Sequence, residues 1–403
     1  MTWIGIAFLS LAAGFASVRY LIAPPADMTG YAALGLLCFF LGIALLLRHK
    51  KISRRLAGLG LMLVCCVAGY LIACAMYLKA PAHEKELTLA PVRASLPGHT
   101  AIIYFTHGEP RTYEGAFEAW KDAIHEMDET GVPFVPWPFR PFFFKKVRGE
   151  YFEVGGSFHN LIHTRTMERI ESAYRKNGDT NARCYIAYSD DSPHTDAAAA
   201  RAIAEGADRI ILLNVWLTDS DHSETGRKLV EALHPEKYGV KLCVTDTLKN
   251  SRRLMRMNVE RAIKAAGDMN RADIGILLVA HGQPASWDAI FKKQPEQENS
   301  FRQETKKLLA AEGFKNAHIA LAYMEFKQPD IKTAVQGLLA GGIKKLLVSP
   351  VNISAESIHS EHEIPSMVDG AGVPASIPVV HLGAWNDDQL LIDDLLEQLE
   401  ACR

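Results

Sequence analysis

Two histidine-bearing segments carry the side chains best suited to chemistry. Ala280-His281-Gly282-Gln283-Pro284 closes one apolar run, and His359-Ser360-Glu361-His362-Glu363-Ile364-Pro365 follows another, Leu346-Leu347-Val348-Ser349-Pro350. Imidazole and carboxylate are the ligands that hold a borderline divalent cation. His359, His362 and Glu363 lie three and four residues apart, so a helix there presents them on one face. His281, His359 and His362 are therefore the expected metal ligands, in a site with open positions. Neutral histidines also accept protons near neutral pH, so His281 and His359 can take protons while an ion is handled. Glu325, in Tyr323-Met324-Glu325-Phe326, reads either as a third ligand or general base or as a solvated loop carboxylate. Glu363 is placed to orient the histidines or help desolvate the ion. His107 and His222 repeat the pattern earlier in the chain, as a second metal or relay site or as the relic of a duplication.

The elements that must position these groups repeat as well. Ala101–Pro110 answers to Gly275–Pro284, each a buried-strand run ending in His-Gly-x-Pro. Cys184–Tyr188 answers to Ile319–Tyr323, each followed by a proline and an alanine-containing helix. Gly206–Asn214 answers to Gly342–Pro350, each a helix-ending glycine and then a short apolar strand. Strands apolar on both faces, alternating with helices, imply parallel βαβ units. The expected fold is thus α/β: two similar Rossmann-like lobes with parallel sheets, at 99–266 and 272–403. His281 and His359 then rise from one carboxyl edge, where open α/β sheets bind ligands.

The first 78 residues are different material. Residues 3–23, 31–47 and 56–78 are apolar and almost uncharged, each near the roughly 20 residues a bilayer-spanning helix needs. Three transmembrane helices at 1–78 and a proline-containing linker at 79–98 are expected, with the lipid bilayer as a partner. A cleaved signal peptide is the alternative for the first stretch, but no basic segment leads it and two more spans follow at once. Arg48, Lys50, Lys51, Arg54 and Arg55 follow the second stretch, whereas the loop at 24–30 carries only Asp27. The positive-inside rule makes the basic loop cytoplasmic, placing a multi-pass protein in the cell's inner membrane with its soluble part outside. Arg19, Lys79 and Lys85 weigh the other way.

The net charge of −2 gives no general attraction to nucleic acid, and without a phosphate-binding loop signature no nucleotide is expected. Cys38, Cys65, Cys66 and Cys74 fall in the apolar stretches, leaving Cys184, Cys243 and Cys402 outside. No Cys-x-x-Cys pair exists, which excludes a zinc ribbon or thioredoxin-type motif, and the cysteines leave the compartment open. Val132–Lys146 is rich in proline and phenylalanine and carries Arg140, Lys145 and Lys146, running on to Tyr151 and Gly155-Gly156-Ser157. It reads either as a segment packing its rings on the domain or the bilayer interface, or as a lip over a flat, acidic, aromatic ligand.

These motifs resemble those of the class II tetrapyrrole chelatases, which include protoporphyrin ferrochelatase and the short cobaltochelatases. Pro141–Lys146 followed by Tyr151-Phe-Glu-Val-Gly155-Gly156-Ser157 is similar to the ferrochelatase segment that forms part of its porphyrin-binding lip. Ala280–Pro284 is similar to the motif whose histidine is catalytic there. Pro350–His359 aligns without a gap to the segment in which ferrochelatases carry a catalytic glutamate, here histidine, while Glu363-Ile364-Pro365 resembles the ending found in cobaltochelatases. The resemblance implies a membrane-anchored chelatase that inserts Fe2+ or Co2+, as substrate, into sirohydrochlorin or a porphyrin. His281, His359, Glu325 and Glu363 would be catalytic, and Tyr151, Gly155, Gly156 and Ser157 would grip the tetrapyrrole. A non-catalytic metal or haem carrier on the same fold is the alternative.

Overall fold

A computed structural model describes residues 2–79, 98–129, 131–132 and 134–403. These fall into two compact units, one taking in Met1–Lys85 and Thr112–Gly156, the other Glu86–Arg111 and Ser157–Arg403. Most of the expected linker at 79–98 lies outside the described residues.

In the helical unit, α1 (Thr2–Ile22), α2 (Pro25–Leu47) and α3 (Ile52–Leu78) are long and apolar enough to cross a membrane. Small residues bring α1 and α3 backbone to backbone: a Cβ on Gly14 would stand 1.9 Å from the Cys66 carbonyl oxygen, and one on Gly69 2.0 Å from that of Leu11. Two further helices, α4 (Tyr113–Glu129) and α5 (Arg140–Val154), belong to this unit, although the sequence reading assigns them to the first lobe. Their attachment is chemical as well as apolar. Helix C-termini leave carbonyls unsatisfied, and the Arg148 guanidinium donates to those of Tyr20 (3.0 Å) and Ala23 (2.7 Å). Arg140 donates to the Leu78 carbonyl (2.6 Å) and pairs with Asp128. Phe117, Trp120, Phe134, Phe143 and Phe144 interlock with the ends of α1 and α3. The aromatic segment thus packs its rings within this unit, leaving Phe139, Phe142 and Phe152 exposed.

The other unit is the expected α/β structure. Its first sheet contains β1 (His99–Thr106), β2 (Arg183–Tyr188), β3 (Ala207–Asn214) and β4 (Lys241–Val244), in the order β2-β1-β3-β4. The second contains β5 (Ile274–Ala280), β6 (Ile319–Tyr323), β7 (Lys345–Pro350) and β8 (Val379–His381), in the order β6-β5-β7-β8. Every pairing is parallel. The short edge strands β4 and β8 are additions to the three strands per lobe read from the sequence, where four and three residues carry too little pattern to register.

Covering helices are α6 (His159–Lys176), α7 (Thr195–Ala204), α8 (Asp221–Ala232) and α9 (Arg252–Ala266) after the strands of the first lobe. In the second they are α10 (Lys293–Ala311), α11 (Ile331–Ala340), α12 (Ile364–Asp369) and α13 (Gln389–Glu400). The lobes share a core. Leu391, Ile392, Leu395 and Leu399 of α13 belong to one continuous cluster with Ile102, Tyr104 and Ile170 of the first lobe, as do Leu254, Met257 and Val259 of α9 with Ile276 and Leu347 of the second.

Candidate metal and proton-transfer site

In each sheet the chain leaves the first strand for one neighbour and later returns to the other side. The carboxyl ends of β1 and β3, and of β5 and β7, are therefore topological switch points, where side chains from two diverging loops can meet. His107 follows β1 and His222 stands in the first turn of α8, after β3. His281 follows β5, and His359 begins the turn after β7.

In the first lobe this placement brings together His107, Asp190 and His222, with one ligand atom of each lying within 4.8 Å of the others. Among the described residues no other trio of His, Cys, Asp or Glu meets that spacing. His107 Nδ1 lies 3.2 Å from Asp190 Oδ2, and the His107 side chain is 51% exposed. The rings of His107 and His222 are 5.5 Å apart, and His222 stacks on Trp216. His222 Nδ1 is 3.0 Å from Ser189 Oγ, which fixes the imidazole's orientation. Ser220 caps α8 in a reciprocal box with Ser223, setting the helix end from which His222 projects.

The second lobe brings His281 to His359, with ring centroids 5.3 Å apart and edge to face. The expected helix after β7 is present but opens as a π turn over His359–Glu363 before α12. A turn with i→i+5 bonding is wider than an α turn, so residues four apart come closer to alignment than residues three apart. His359 Nδ1 accordingly meets the Glu363 carboxylate, while the half-buried His362 is not part of a three-ligand cluster with His281 and His359. Gly282 makes the strand exit possible: its φ is +87°, and a Cβ there would stand 2.2 Å from the Glu325 carbonyl oxygen. Glu325 is tied to the same exit, its N–H donating to the His281 carbonyl (3.0 Å).

The two imidazoles are tuned oppositely. Burial, with the neighbouring His359 adding to it, pushes His281 down to about 4, so it is a neutral base at physiological pH. Burial works against charge on His359 too, but the Glu363 carboxylate, helped by Glu109 and Glu325, overrides it and raises His359 to about 9.

Several groups here were not picked out from the sequence. Asp190 stands two residues past Tyr188, as Glu325 stands two past Tyr323, so the internal repeat itself held the signal. Glu109 accepts from the Ile358 N–H (3.0 Å) and joins the first His-Gly-x-Pro motif to the second-lobe turn; burial raises its carboxyl. His159 and His163, one turn apart on α6, are buried, with ring centroids 4.5 Å apart. His163 bonds with the Tyr104 hydroxyl (2.8 Å) and, across the lobes, with Ser354 Oγ (3.1 Å). Burial pushes His159 down to about 3, and His107, Asp190 and His359 all act on it. His159 therefore lies within electrostatic reach of both histidine pairs.

Of the expected tetrapyrrole-contact residues, Tyr151 is buried on α5. Gly155 is the left-handed cap of that helix, and Gly156 (φ +96°) donates back to the Tyr151 carbonyl (2.9 Å). These three belong to the helical unit. Ser157 belongs to the α/β unit, where its hydroxyl accepts from the His159 N–H (3.1 Å).

Comparison with known proteins shows the family to which the chain is related. The family model for ferrochelatase matches residues 99–400. The ferrochelatase of Synechococcus elongatus is 22% identical over 327 residues, covering 75% of this chain and 82% of its own. That of Geotalea uraniireducens is 25% identical over 290 residues, covering 67% and 86%. The sirohydrochlorin cobaltochelatase of Methanothermobacter thermautotrophicus is 30% identical over 96 residues, 24% of this chain and 57% of its own. Among solved structures, SirB from Bacillus subtilis with Fe3+ aligns with a TM-score of 0.46 at 10% identity, over 75% of this chain and 94% of that one. With a family match running from the first strand of the first lobe to the last helix of the second, the chain belongs to the ferrochelatase family and is an enzyme of the metal-chelatase type.

Proposed function

We propose that the enzyme inserts Fe2+ or Co2+ into a tetrapyrrole, sirohydrochlorin or a porphyrin, and that His281, His359, Glu325 and Glu363 carry the step. The observation that supports this most is the opposite tuning of His281 and His359 across 5.3 Å. Insertion must remove two pyrrole N–H protons as the ion arrives. His281, neutral and half-buried, accepts one. His359 and Glu363 share a proton at rest; an approaching cation drives it out to bulk water, and the freed imidazole then serves as ligand and the freed carboxylate as acceptor of the second pyrrole proton. Glu325, at the same strand exit, helps strip water from the ion. His362 is proposed as an outer ligand of this site. His107 and His222, with Asp190, form a second cation site, open enough to collect the ion from solvent.

That Tyr151, Gly155, Gly156 and Ser157 grip the macrocycle is proposed from the motif they share with ferrochelatases. Membrane placement follows from α1, α2 and α3. We propose an inner-membrane protein whose α/β unit is extracytoplasmic, by the charge of the loop at 48–55.

The test is absorbance spectroscopy on the purified protein with sirohydrochlorin or protoporphyrin and Fe2+ or Co2+. A shifted band that grows over many turnovers, and is lost in His281→Ala, supports the reading. Stoichiometric binding without a new band would make the protein a carrier.

A further inference from the structure

The metal chemistry leaves Cys243 and Cys402 without a role, yet these two are bonded to each other, with Cα atoms 5.9 Å apart and 159 residues between them. Cys243 lies on the edge strand β4, in register with Ile211 of β3. Cys402 lies just beyond α13, the last helix of the second lobe, whose buried face packs into first-lobe residues. The bond thus fastens α13 to the lobe that its own strands do not belong to. Cys184, the remaining cysteine of the α/β unit, is a free thiol on β2, and burial pushes it well up.

We propose that Cys243–Cys402 is a staple formed after the α/β unit has crossed the membrane, and that it holds α13 on the first lobe and so holds the two lobes together. Two thiols lose two protons and two electrons as the S–S bond forms. The disulfide of an extracytoplasmic thiol oxidant takes up both and leaves as a dithiol. This rests on the orientation proposed above, because such bonds persist in oxidising compartments and are rare in the cytosol.

The helical unit supports that orientation independently of the sulfur. Arg48, Lys50, Lys51 and Arg54 are exposed at the loop joining α2 to α3. At the opposite ends of α1 and α3, Arg140 and Arg148 are buried and used as carbonyl caps. The exposed cations described there are Lys79, Lys145 and Lys146, the last bridging to Glu150. Among the described residues, exposed positive charge is therefore greater at the α2–α3 loop, which the positive-inside rule assigns to the cytoplasm.

The experiment is a thiol count on the full-length protein expressed in bacterial cells, acid-quenched, denatured and alkylated with a maleimide-polyethylene glycol. Seven cysteines are present and five are free, so five adducts are expected without reduction and seven after it. Cys402→Ser should show six with or without reduction. Seven adducts in unreduced wild type would overturn the staple. A reporter active only in the cytoplasm, fused after residue 90, separates the two readings: if it stays silent beside seven adducts, only the staple fails; if it is active, the orientation fails and takes the staple with it. For the holding role, reductant should lower the Tm of the wild type by roughly 5–10 °C and leave Cys402→Ser unchanged. An unmoved wild-type Tm would refute that role. None of these readouts depends on chelatase activity.

Discussion

The two lobes build the same constellation from equivalent positions and give it different surroundings. His107 and Asp190 correspond by strand and offset to His281 and Glu325, and His222 and His359 follow equivalent strands at offsets one residue apart, with ring separations of 5.5 and 5.3 Å. In the first lobe the His107 side chain is 51% exposed and its carboxylate sits directly on the imidazole at 3.2 Å. In the second, the His359 side chain is 26% exposed and its carboxylate partner is Glu363, supplied by the π turn. A duplicated backbone therefore fixes where imidazoles meet, while burial and one added carboxylate decide whether they are solvated ligands or a tuned pair. On the function proposed above, the more exposed site would capture an ion and the more buried one would move protons.

The largest effect expected from breaking this contrast is on turnover. His281→Ala should cost about 10²–10⁴-fold in metal insertion, the usual worth of a positioned acid or base. His222→Ala should instead lower the amount of divalent ion bound, read by elemental analysis, and reduce turnover only at limiting metal. Equal losses of turnover at saturating metal would mean that the lobes do not divide the work.

Next comes the strand exit. Gly282→Ala forces a Cβ to within 2.2 Å of the Glu325 carbonyl oxygen at φ +87°, and should destabilise the protein by about 1–3 kcal/mol in denaturant titrations. Gly108→Ala, whose Cβ would approach Asp191 at 2.9 Å, should cost less. The reverse order would show that the first-lobe exit is the stiffer.

The pH responses should differ in sign. His359 has a raised pKa in the folded protein, so its pairing with Glu363 contributes stability fully below about 6.5 and loses it as pH rises towards about 9. Cation affinity moves the opposite way across that window, because the ion competes with the proton. Glu363→Gln should shift the pH dependence of metal binding to lower pH, because that carboxylate is the main group raising His359 to about 9. His281 and His159, held neutral by burial, have depressed values, so stability present above 6.5 should fall as pH drops towards about 4 and 3. A denaturant midpoint unchanged between pH 7 and 4 would contradict that.

The smallest effect is expected at Ser189→Ala. It frees the His222 ring from the 3.0 Å contact with Ser189 Oγ and should weaken ion binding in the first lobe by about 10-fold.

Much of this was legible in the chain. The repeated His-Gly-x-Pro after apolar runs announced two parallel lobes, because buried parallel strands are apolar on both faces and their exits need a glycine. Three charge-poor stretches announced three helices long and apolar enough to cross a membrane, for an equally local reason. His281, His359 and Glu363 were legible as a group because a strand end and a helical turn leave few ways to point. Asp190 was hidden by the many carboxylates around it, and Glu109 by its partner, the Ile358 N–H, 249 residues away. The aromatic segment at 132–146 was ambiguous for a related reason. Its rings pack within the helical unit because Arg140 and Arg148 find bare carbonyls at helix ends, which no local pattern encodes.

What the sequence determined alone was the type of the longer elements and the residues capable of chemistry, since propensity, periodicity and side-chain chemistry act over a few residues. Tertiary structure alone decided which carboxylate meets which imidazole, that α9 and α13 bind the two lobes through a shared core, and that Cys243 finds Cys402. Those outcomes depend on distances closed through space, and both the burial that depresses His281 and the Glu363 contact that overrides burial at His359 exist only once the whole chain has packed.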